Sequence, residues 1–268
     1  MSASSRQPAN HDLTAQLAQL QRQLDASRAE LQEFTYAVSH DLSAPLRHIR
    51  AYAQIIEEDW PDLPAEMASH LGTIRQSAQL LSSQLDGLAQ LSRLGAQAFE
   101  PQPVLLGPLA REVANALVAQ QPEAQVAWQL ADDVPPVLAD VFLLRQLLQQ
   151  LLGNALKFSR GQTPAQISLS WHREPTLPAT APGAPSVAAP SICLTLRDNG
   201  VGFAPEQAQA LFKPFGKLHP VREFEGLGLG LLQCRRIVAR LGGTIQISAA
   251  LGSGCVVTLC LPAFAQYS

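Results

Sequence analysis

The sequence predicts an α-helical hairpin, paired with a second copy as a dimeric four-helix bundle, followed by an α+β domain in which helices cover a mixed sheet. Two observations lead to this fold class. Apolar residues recur in steps of three and four over the first third of the chain, whereas short strand and helix patterns alternate after Gly95. A length of 268 residues accommodates one large domain or two smaller ones. We place the hairpin at residues 34–97 and the α+β domain at residues 98–268.

The hairpin is predicted from two heptad patterns. Residues 1–12 are polar and are expected to be a disordered tail, and an apolar seam over residues 13–33 predicts a coiled-coil lead-in helix. The same helix should continue to about Asp59, because prolines follow closely. A second seam begins at Met67. Since one narrow apolar stripe per helix buries little surface alone, we expect a homodimer.

The α+β domain is predicted from alternating short patterns. Asp140 is the expected N-cap of its second helix. Residues 174–190 have no helical or strand period, so we expect a flexible hairpin extension there. The predicted strands lie near residues 102–106, 125–130, 166–171, 192–197, 244–249 and 255–261, and the predicted helices cover residues 108–120, 140–159 and 228–241.

Composition restricts the class of protein. A hydrophobic fraction of 47% excludes a disordered chain, and a net charge of −3 argues against general binding to nucleic acid. No apolar run approaches the roughly 18–20 residues of a transmembrane segment, and the N-terminus lacks the apolar core of a signal peptide, so we expect a soluble, cytoplasmic protein. The cysteines show neither CxxC nor metal-ligand spacing, so we expect buried, unreactive thiols rather than disulfides or a zinc site. They are Cys193, Cys234, Cys255 and Cys260.

The first motif with chemical meaning surrounds His40. If Val38 and Leu42 face the helical seam, His40 lies on the opposite, exposed side. The adjacent Asp41 can accept a hydrogen bond from one ring nitrogen, which fixes the tautomer and makes the other nitrogen more nucleophilic. Pro45 weakens the helix about one turn further on. An isolated surface histidine is usually just solvated, but this combination suits a nucleophile that meets an incoming phosphoryl group.

Two further motifs are typical of a nucleotide site, although each alone is weak. Asn154 and Lys157 share one face at a helix end, where an amide oxygen can bind a hard cation and an ammonium can bind phosphate. Asp198, Gly200 and Gly202 follow a predicted strand. The glycines let the backbone approach a planar ligand, and Asp198 can accept a hydrogen bond from an exocyclic amine.

The remaining motifs lie further along the chain. Phe212, Phe215 and Lys217 belong to a polar and aromatic stretch that suits a mobile lid over phosphates. A set of three alternate glycines then opens a helix whose N-terminal N–H groups can bind an anion. They are Gly226, Gly228 and Gly230. All three lysines of the chain lie within these phosphate-side motifs.

In this order the motifs resemble those of the catalytic core of sensor histidine kinases, over residues 30–262. Residues 38–49 are especially similar to kinases attached to phytochrome-like photosensors. The resemblance implies a dimerisation and phosphoacceptor hairpin followed by an ATP-binding α+β sandwich of the Bergerat type. It implies autophosphorylation of His40 from Mg²⁺–ATP, with Asp41 as acid/base partner and Asn154 as Mg²⁺ ligand. The implied ATP-binding residues are Asn154, Lys157, Asp198, Gly200, Gly202, Phe212, Phe215, Lys217, Gly226, Gly228 and Gly230.

The resemblance also implies partners. The phosphoryl group would pass to an aspartate of a response-regulator receiver domain, and the input signal would come from an upstream sensor protein, a fusion or nothing. Two alternatives remain: a catalytically inactive histidine phosphotransfer or scaffold protein, and an ATPase clamp that would leave His40 unexplained.

The sequence departs from the family pattern at three positions. Gln150 stands where an asparagine is usual, Leu227 replaces a usual Thr or Ser, and Ala44 replaces a Thr or Asn thought to orient water for dephosphorylating the partner. Phosphatase activity is therefore not expected.

Overall fold

The computed structural model describes residues 7–96, 99–174, 190–216, 218, 224 and 226–264. The chain divides into two units, Met1–Gln97 and Ala98–Ser268. None of the helices in the described part combines the length and the hydropathy of a transmembrane span.

The first unit is a pair of helices in contact, α1 (Gln7–Asp59) and α2 (Ala65–Ala96). The prediction of a disordered tail is wrong for residues 7–12, which form the start of α1, while residues 1–6 lie outside the described residues. A polar composition does not by itself break a helix, and Pro8 stands in the first turn, where its missing N–H removes no helical hydrogen bond.

Only part of the predicted seam is buried within the single chain. Ala53 of α1 and Ala78 of α2 are buried, as is Ser39. Much of the remaining seam is exposed, which leaves a continuous apolar stripe along α1. Its large exposed members on the predicted seam are Leu20, Leu24, Leu31, Phe34, Val38, Leu42 and Ile49.

The strands of the second unit are β1 (Gln102–Val104), β2 (Val126–Leu130), β3 (Val137–Ala139), β4 (Ala165–Glu174), β5 (Ser191–Asp198), β6 (Thr244–Ala249) and β7 (Cys255–Pro262). They form a five-stranded sheet in the order β2-β4-β5-β7-β6 and a two-stranded sheet of β1 and β3. The β2–β4 pair is parallel and the other pairs are antiparallel.

Within its described residues, this unit also has three α-helices and one 3₁₀ helix. They are α3 (Leu106–Ala119), α4 (Val141–Phe158), α5 (Gly230–Arg240) and the 3₁₀ helix Pro205–Phe212. The central helix, α4, buries a leucine-rich face and contacts α3, α5, β4 and β5. Its N-cap prediction is confirmed: Asp140 Oδ1 accepts hydrogen bonds from the backbone N–H groups of Phe142, at 2.9 Å, and Leu143, at 3.2 Å.

The structure differs from the sequence prediction at several places. The short strand β3 and the 3₁₀ helix were not predicted, and β4 continues to Glu174 because its last residue pairs with Ser191 of β5. Of the predicted flexible extension, residues 175–189 lie outside the described residues.

The prediction of four free thiols is wrong for two of the cysteines. Cys193 and Cys260 are direct register partners on β5 and β7, and they form a disulfide. They are 67 residues apart in sequence, so the pairing follows from sheet register rather than from local spacing. Cys234 and Cys255 are free, and burial raises the pKa of each thiol to about 12, which leaves both protonated and unreactive.

Candidate functional sites

The first candidate site is an exposed imidazole on α1. The side chains of His40 and Asp41 are 75% and 81% exposed, and His40 Nδ1 lies 3.2 Å from Asp41 Oδ1. With Nδ1 protonated, this hydrogen bond leaves the lone pair on Nε2, which has no hydrogen-bond partner among the described residues. Pro45 lies within the continuous helix and provides no N–H for the carbonyl of Asp41. The arrangement can act as a nucleophile toward a ligand that approaches from solvent.

The second candidate site is a pocket in the second unit. Its lining comes from the C-terminal half of α4, the end of β5 and the loop after it, strand β7 and the edge strand β6, and the N-terminus of α5. Its walls are largely apolar and include Phe158 and Phe203. Its polar groups come from different elements, with Asp198 at the end of β5 and Asn154 and Lys157 on α4. An apolar slot with a few convergent polar groups is typical of a small-molecule site.

Asp198 is the buried acceptor of this pocket. Its residue is 8% exposed, and Oδ1 accepts hydrogen bonds from the backbone N–H groups of Gly200, at 2.9 Å, and Cys255, at 3.1 Å. Burial raises the pKa of the carboxyl above its usual range, and the two N–H groups partly oppose this. Oδ2 has no hydrogen-bond partner within the described residues, so it is available to a ligand.

Two glycines place the backbone around Asp198. Gly200 is not among the residues that line the pocket, and a Cβ there would lie 2.5 Å from the carbonyl oxygen of Phe158. Gly202 lines the pocket at φ +62°, and a Cβ there would collide with the carbonyl oxygen of Ala250. Both glycines are therefore required by close backbone packing.

The end of the pocket beside α5 carries the amide and the cation that the sequence predicted, and a second amide. Asn154 and Lys157 both line it, together with Gln150. A Cβ on Gly230, the first residue of α5, would lie 2.6 Å from Gln150 Oε1 and 4.0 Å from Asn154 Nδ2. A Cβ on Gly226 would lie 3.5 Å from Lys157 Nζ. The N-terminus of α5, two amide side chains and an ammonium group therefore meet at one end.

The predicted lid phenylalanines lie outside the pocket lining, whereas the three alternate glycines line the pocket. Neither Phe212 nor Phe215 lines the pocket; the Arg235 guanidinium lies 5.5 Å from the Phe212 ring centroid, and Phe215 adopts φ 59°. A Cβ on Gly228 would lie 2.7 Å from the backbone of Phe215, so these two motifs pack together. Lys217 lies outside the described residues.

Sequence reasoning missed several lining residues. Phe158 and Phe224 form an aromatic pair with ring centroids 4.9 Å apart, and Lys157 Nζ lies 4.2 Å from the Phe158 centroid. The position of Phe158 directly after Lys157 was an available signal. Cys255 gave none, because it reaches the pocket only through the register of β7.

Comparisons with known proteins agree with this division into two sites. A family model described as His Kinase A (phospho-acceptor) domain matches residues 30–97, and one described as Histidine kinase-, DNA gyrase B-, and HSP90-like ATPase matches residues 139–265. Together the two models cover most of the chain. It therefore belongs to the histidine kinases, with the phosphoacceptor domain first and the ATPase-type domain second.

Individual relatives support the same assignment. Cyanobacterial phytochrome A of Nostoc sp. is 30% identical over 92% of this chain and 30% of its own length. The methanogenesis regulatory histidine kinase FilI of Methanothrix harundinacea is 29% identical over 94% of this chain and 27% of its own. The crystal structure of full-length ShkA in complex with AMPPNP matches with 27% identity and a TM-score of 0.57, over 86% of this chain and 46% of that one. The chain thus spans less than a third of the two curated relatives.

Proposed function

We propose that this chain is the kinase module of a two-component system. It transfers the γ-phosphoryl group of ATP to His40 and passes it to an aspartate on a response-regulator receiver domain. The observation that carries this proposal is the coexistence of an exposed imidazole with a fixed tautomer and a pocket whose polar groups match the two ends of a nucleotide.

The purine end of the nucleotide would lie at Asp198. Oδ1 is already held by two backbone N–H groups, so Oδ2 can accept a hydrogen bond from the exocyclic amine of adenine. The apolar walls that include Phe158 and Phe203 suit a planar base. ShkA, one of the structural neighbours, is in complex with AMPPNP, an ATP analogue.

The phosphate end would lie at Lys157 and the N-terminus of α5. The ammonium group and the N–H groups of the first turn of α5, which have no acceptor within the helix, both favour negative charge. Gly226, Gly228 and the lid residues Phe212, Phe215 and Lys217 would enclose the phosphates, with the two phenylalanines acting through packing.

The same end fits a magnesium ion. Mg²⁺ prefers oxygen ligands and retains several waters, so Asn154 could supply its amide oxygen beside the phosphates, with Gln150 adjacent. When bound, the ion would neutralise charge on the transferring phosphoryl group. Gln150 stands where the family pattern has an asparagine, and its Oε1 lies beside Gly230 at the start of α5.

The residues of the first unit would carry the transfer itself. Asp41 holds the Nδ1 proton of His40, and Nε2 attacks the γ-phosphorus while the bond to the β–γ bridging oxygen breaks and ADP leaves. Asp41 stabilises the positive charge that develops on the imidazole. Ala44 has no polar group to orient a water molecule, so we propose that the module lacks phosphatase activity toward its partner.

The exposed apolar stripe of α1 supports a homodimer. Burying it against a second copy would complete a four-helix bundle, as isolated two-helix hairpins bury little surface. The curated relatives are much longer than this chain. We propose that a sensor, fused upstream or present in a separate protein, supplies the input of the module.

The test is autophosphorylation with γ-³²P-labelled ATP. We expect acid-labile, base-stable labelling of the wild type and none of His40→Gln, with Mg²⁺–ATP affinity unchanged in that variant. The matched control is His48→Gln, an exposed histidine on the same helix, which should retain full labelling.

A second variant tests the nucleotide site. Asn154→Asp should abolish labelling while leaving the fold intact, because an added negative charge next to the phosphates and a changed ligand geometry disfavour the complex with Mg²⁺–ATP.

Labelling that survives His40→Gln would refute the phosphoacceptor assignment. Absence of Mg²⁺–ATP binding in the wild type would favour an inactive phosphotransfer or scaffold protein.

A further inference from the structure

We propose that Tyr36 and Arg93 are positioning residues that hold the His40 ring in its reactive orientation. The inference deepens the proposed kinase function and rests on it. It is based on a chain of ring contacts that joins α2 to the phosphoacceptor through one exposed tyrosine.

The His40 side chain needs contacts that restrict its rotation. His40 is 75% exposed on a helix surface, and such side chains exchange among staggered rotamers on a picosecond-to-nanosecond timescale. The bond to Asp41 fixes the tautomer, but Asp41 is itself 81% exposed and can turn with the imidazole. A further contact is needed to define where Nε2 points.

Tyr36 provides that contact from one turn earlier. Residues four apart are neighbours on a helix surface, and helical side chains lean toward the N-terminus, so His40 leans over Tyr36. The two ring centroids are 6.5 Å apart, with an angle of 29° between the ring planes. The tyrosine ring therefore limits the imidazole on one side while Asp41 holds its Nδ1 edge.

Arg93 holds the tyrosine in turn. Its guanidinium carbon, on α2, lies 5.3 Å from the Tyr36 ring centroid, within the range of a cation–π interaction. The two helices are in close contact at this level, since Ser39 of α1 and Leu91 and Leu94 of α2 are buried. The orientation of the phosphoacceptor thus depends on α2 as well as on its own helix.

The prediction is a selective loss of turnover. Tyr36→Leu keeps an apolar side chain and helix propensity, but it removes the ring, so kcat for autophosphorylation should fall by about three- to tenfold, the size expected for one aromatic contact. KM for ATP should not change, because the nucleotide pocket lies in the other unit. Tyr36→Phe should restore kcat to within about twofold, since it keeps the ring.

Arg93 is tested in the same way. Arg93→Gln should lower kcat by a smaller factor, of about two- to threefold, and Arg93→Lys should recover most of it, because a cation is retained. The matched control is Tyr52→Leu, an exposed tyrosine further along α1, which should leave kcat unchanged. Thermal unfolding and helix content should be equal in Tyr36→Leu and Tyr52→Leu.

A second readout does not depend on activity. In nucleotide-free protein, the side-chain couplings of His40 measured by nuclear magnetic resonance should indicate one dominant χ1 rotamer, and averaging should appear in Tyr36→Leu but not in Tyr36→Phe. Equal kcat in Tyr36→Leu and Tyr52→Leu, or an already averaged His40 in the wild type, overturns the inference. A wild type that is not labelled at all overturns the kinase proposal instead, and the couplings then still decide the role of Tyr36.

Discussion

Asp198→Asn is the most informative single substitution in the nucleotide pocket. It removes the charge of a side chain that is almost completely buried and exchanges one carboxylate oxygen for an amide NH₂ of nearly the same size. The amide oxygen can still accept hydrogen bonds from the backbone N–H groups of Gly200 and Cys255. The new NH₂ group takes the place of Oδ2 and is a donor where adenine also presents a donor.

The substitution should weaken the binding of ATP by about the free energy of one hydrogen bond. A hydrogen bond to a charged acceptor contributes about 1.5–3 kcal/mol when its removal leaves the partner unsatisfied. Since about 1.4 kcal/mol corresponds to a tenfold change in affinity, the Kd for ATP should rise by roughly 10- to 100-fold. Stability should stay close to that of the wild type, because both backbone hydrogen bonds remain and a buried charge is removed.

Binding is measured by isothermal titration calorimetry or by displacement of a fluorescent nucleotide, with thermal unfolding recorded on the same samples. Guanosine triphosphate serves as the control ligand, because guanine has a carbonyl oxygen where adenine has its exocyclic amine. It should therefore bind poorly to the wild type and less poorly to the variant. An unchanged Kd for ATP in a folded variant would refute the role of Asp198 in reading the base.

The same residue predicts a dependence on pH. Burial raises the pKa of Asp198 in the folded state above the ordinary value of 3.8. Between the pKa of the unfolded state and the raised pKa of the folded state, the folded state binds more protons than the unfolded state. This carboxyl therefore contributes a loss of stability as the pH rises through that window. The affinity for ATP should increase over the same window because the ionised carboxylate is the better acceptor. Both dependences should be reduced in Asp198→Asn; parallel profiles for the two proteins would contradict the assignment.

Two further predictions concern the scaffold of the second unit. Gly202→Ala should lower the free energy of unfolding by about 1–3 kcal/mol in urea titrations, because φ +62° and the Ala250 carbonyl leave no place for a methyl group. The control is Gly161→Ala, where no atom lies near the added Cβ, so the free energy of unfolding should change little. Alkylation of denatured, non-reduced protein should modify Cys234 and Cys255 alone, and replacing both Cys193 and Cys260 by alanine should cost about 4 kcal/mol, as expected for a cross-link that closes a 67-residue loop. Four modified cysteines would show that the disulfide is absent.

Features that depend on neighbouring residues were predicted well from the sequence. The cap at Asp140, the end of α1 before Pro61 and the final hairpin of β6 and β7 each follow from a few adjacent residues whose conformational preferences agree. The exposure of His40 was predicted from helix periodicity, and its contact with Asp41 was predicted because the two residues are adjacent in sequence.

Features that depend on distant pairing were missed or misread. Three residues of β3 form a strand only because β1 and Ala263 pair with them. The disulfide arises because the β5–β7 register opposes Cys193 and Cys260. The start of α1 was misjudged for a different reason, since a short polar segment can continue a helix whose later turns are apolar.

This contrast explains the different constraints on the two sites. Oδ1 of Asp198 is held by Gly200, two residues on, and by Cys255, which reaches it only because β5 and β7 pair in one register. The Asp198 carboxyl, whose Oδ2 we propose reads the base, is therefore positioned by the sheet, and a change in strand register would displace it even if every pocket side chain were retained. The reacting nitrogen of His40 is instead positioned by exposed contacts at i+1 and i−4, and by Arg93 from the second helix. A small change in the packing of α1 against α2 is therefore expected to alter the reactivity of His40 without disturbing the nucleotide pocket.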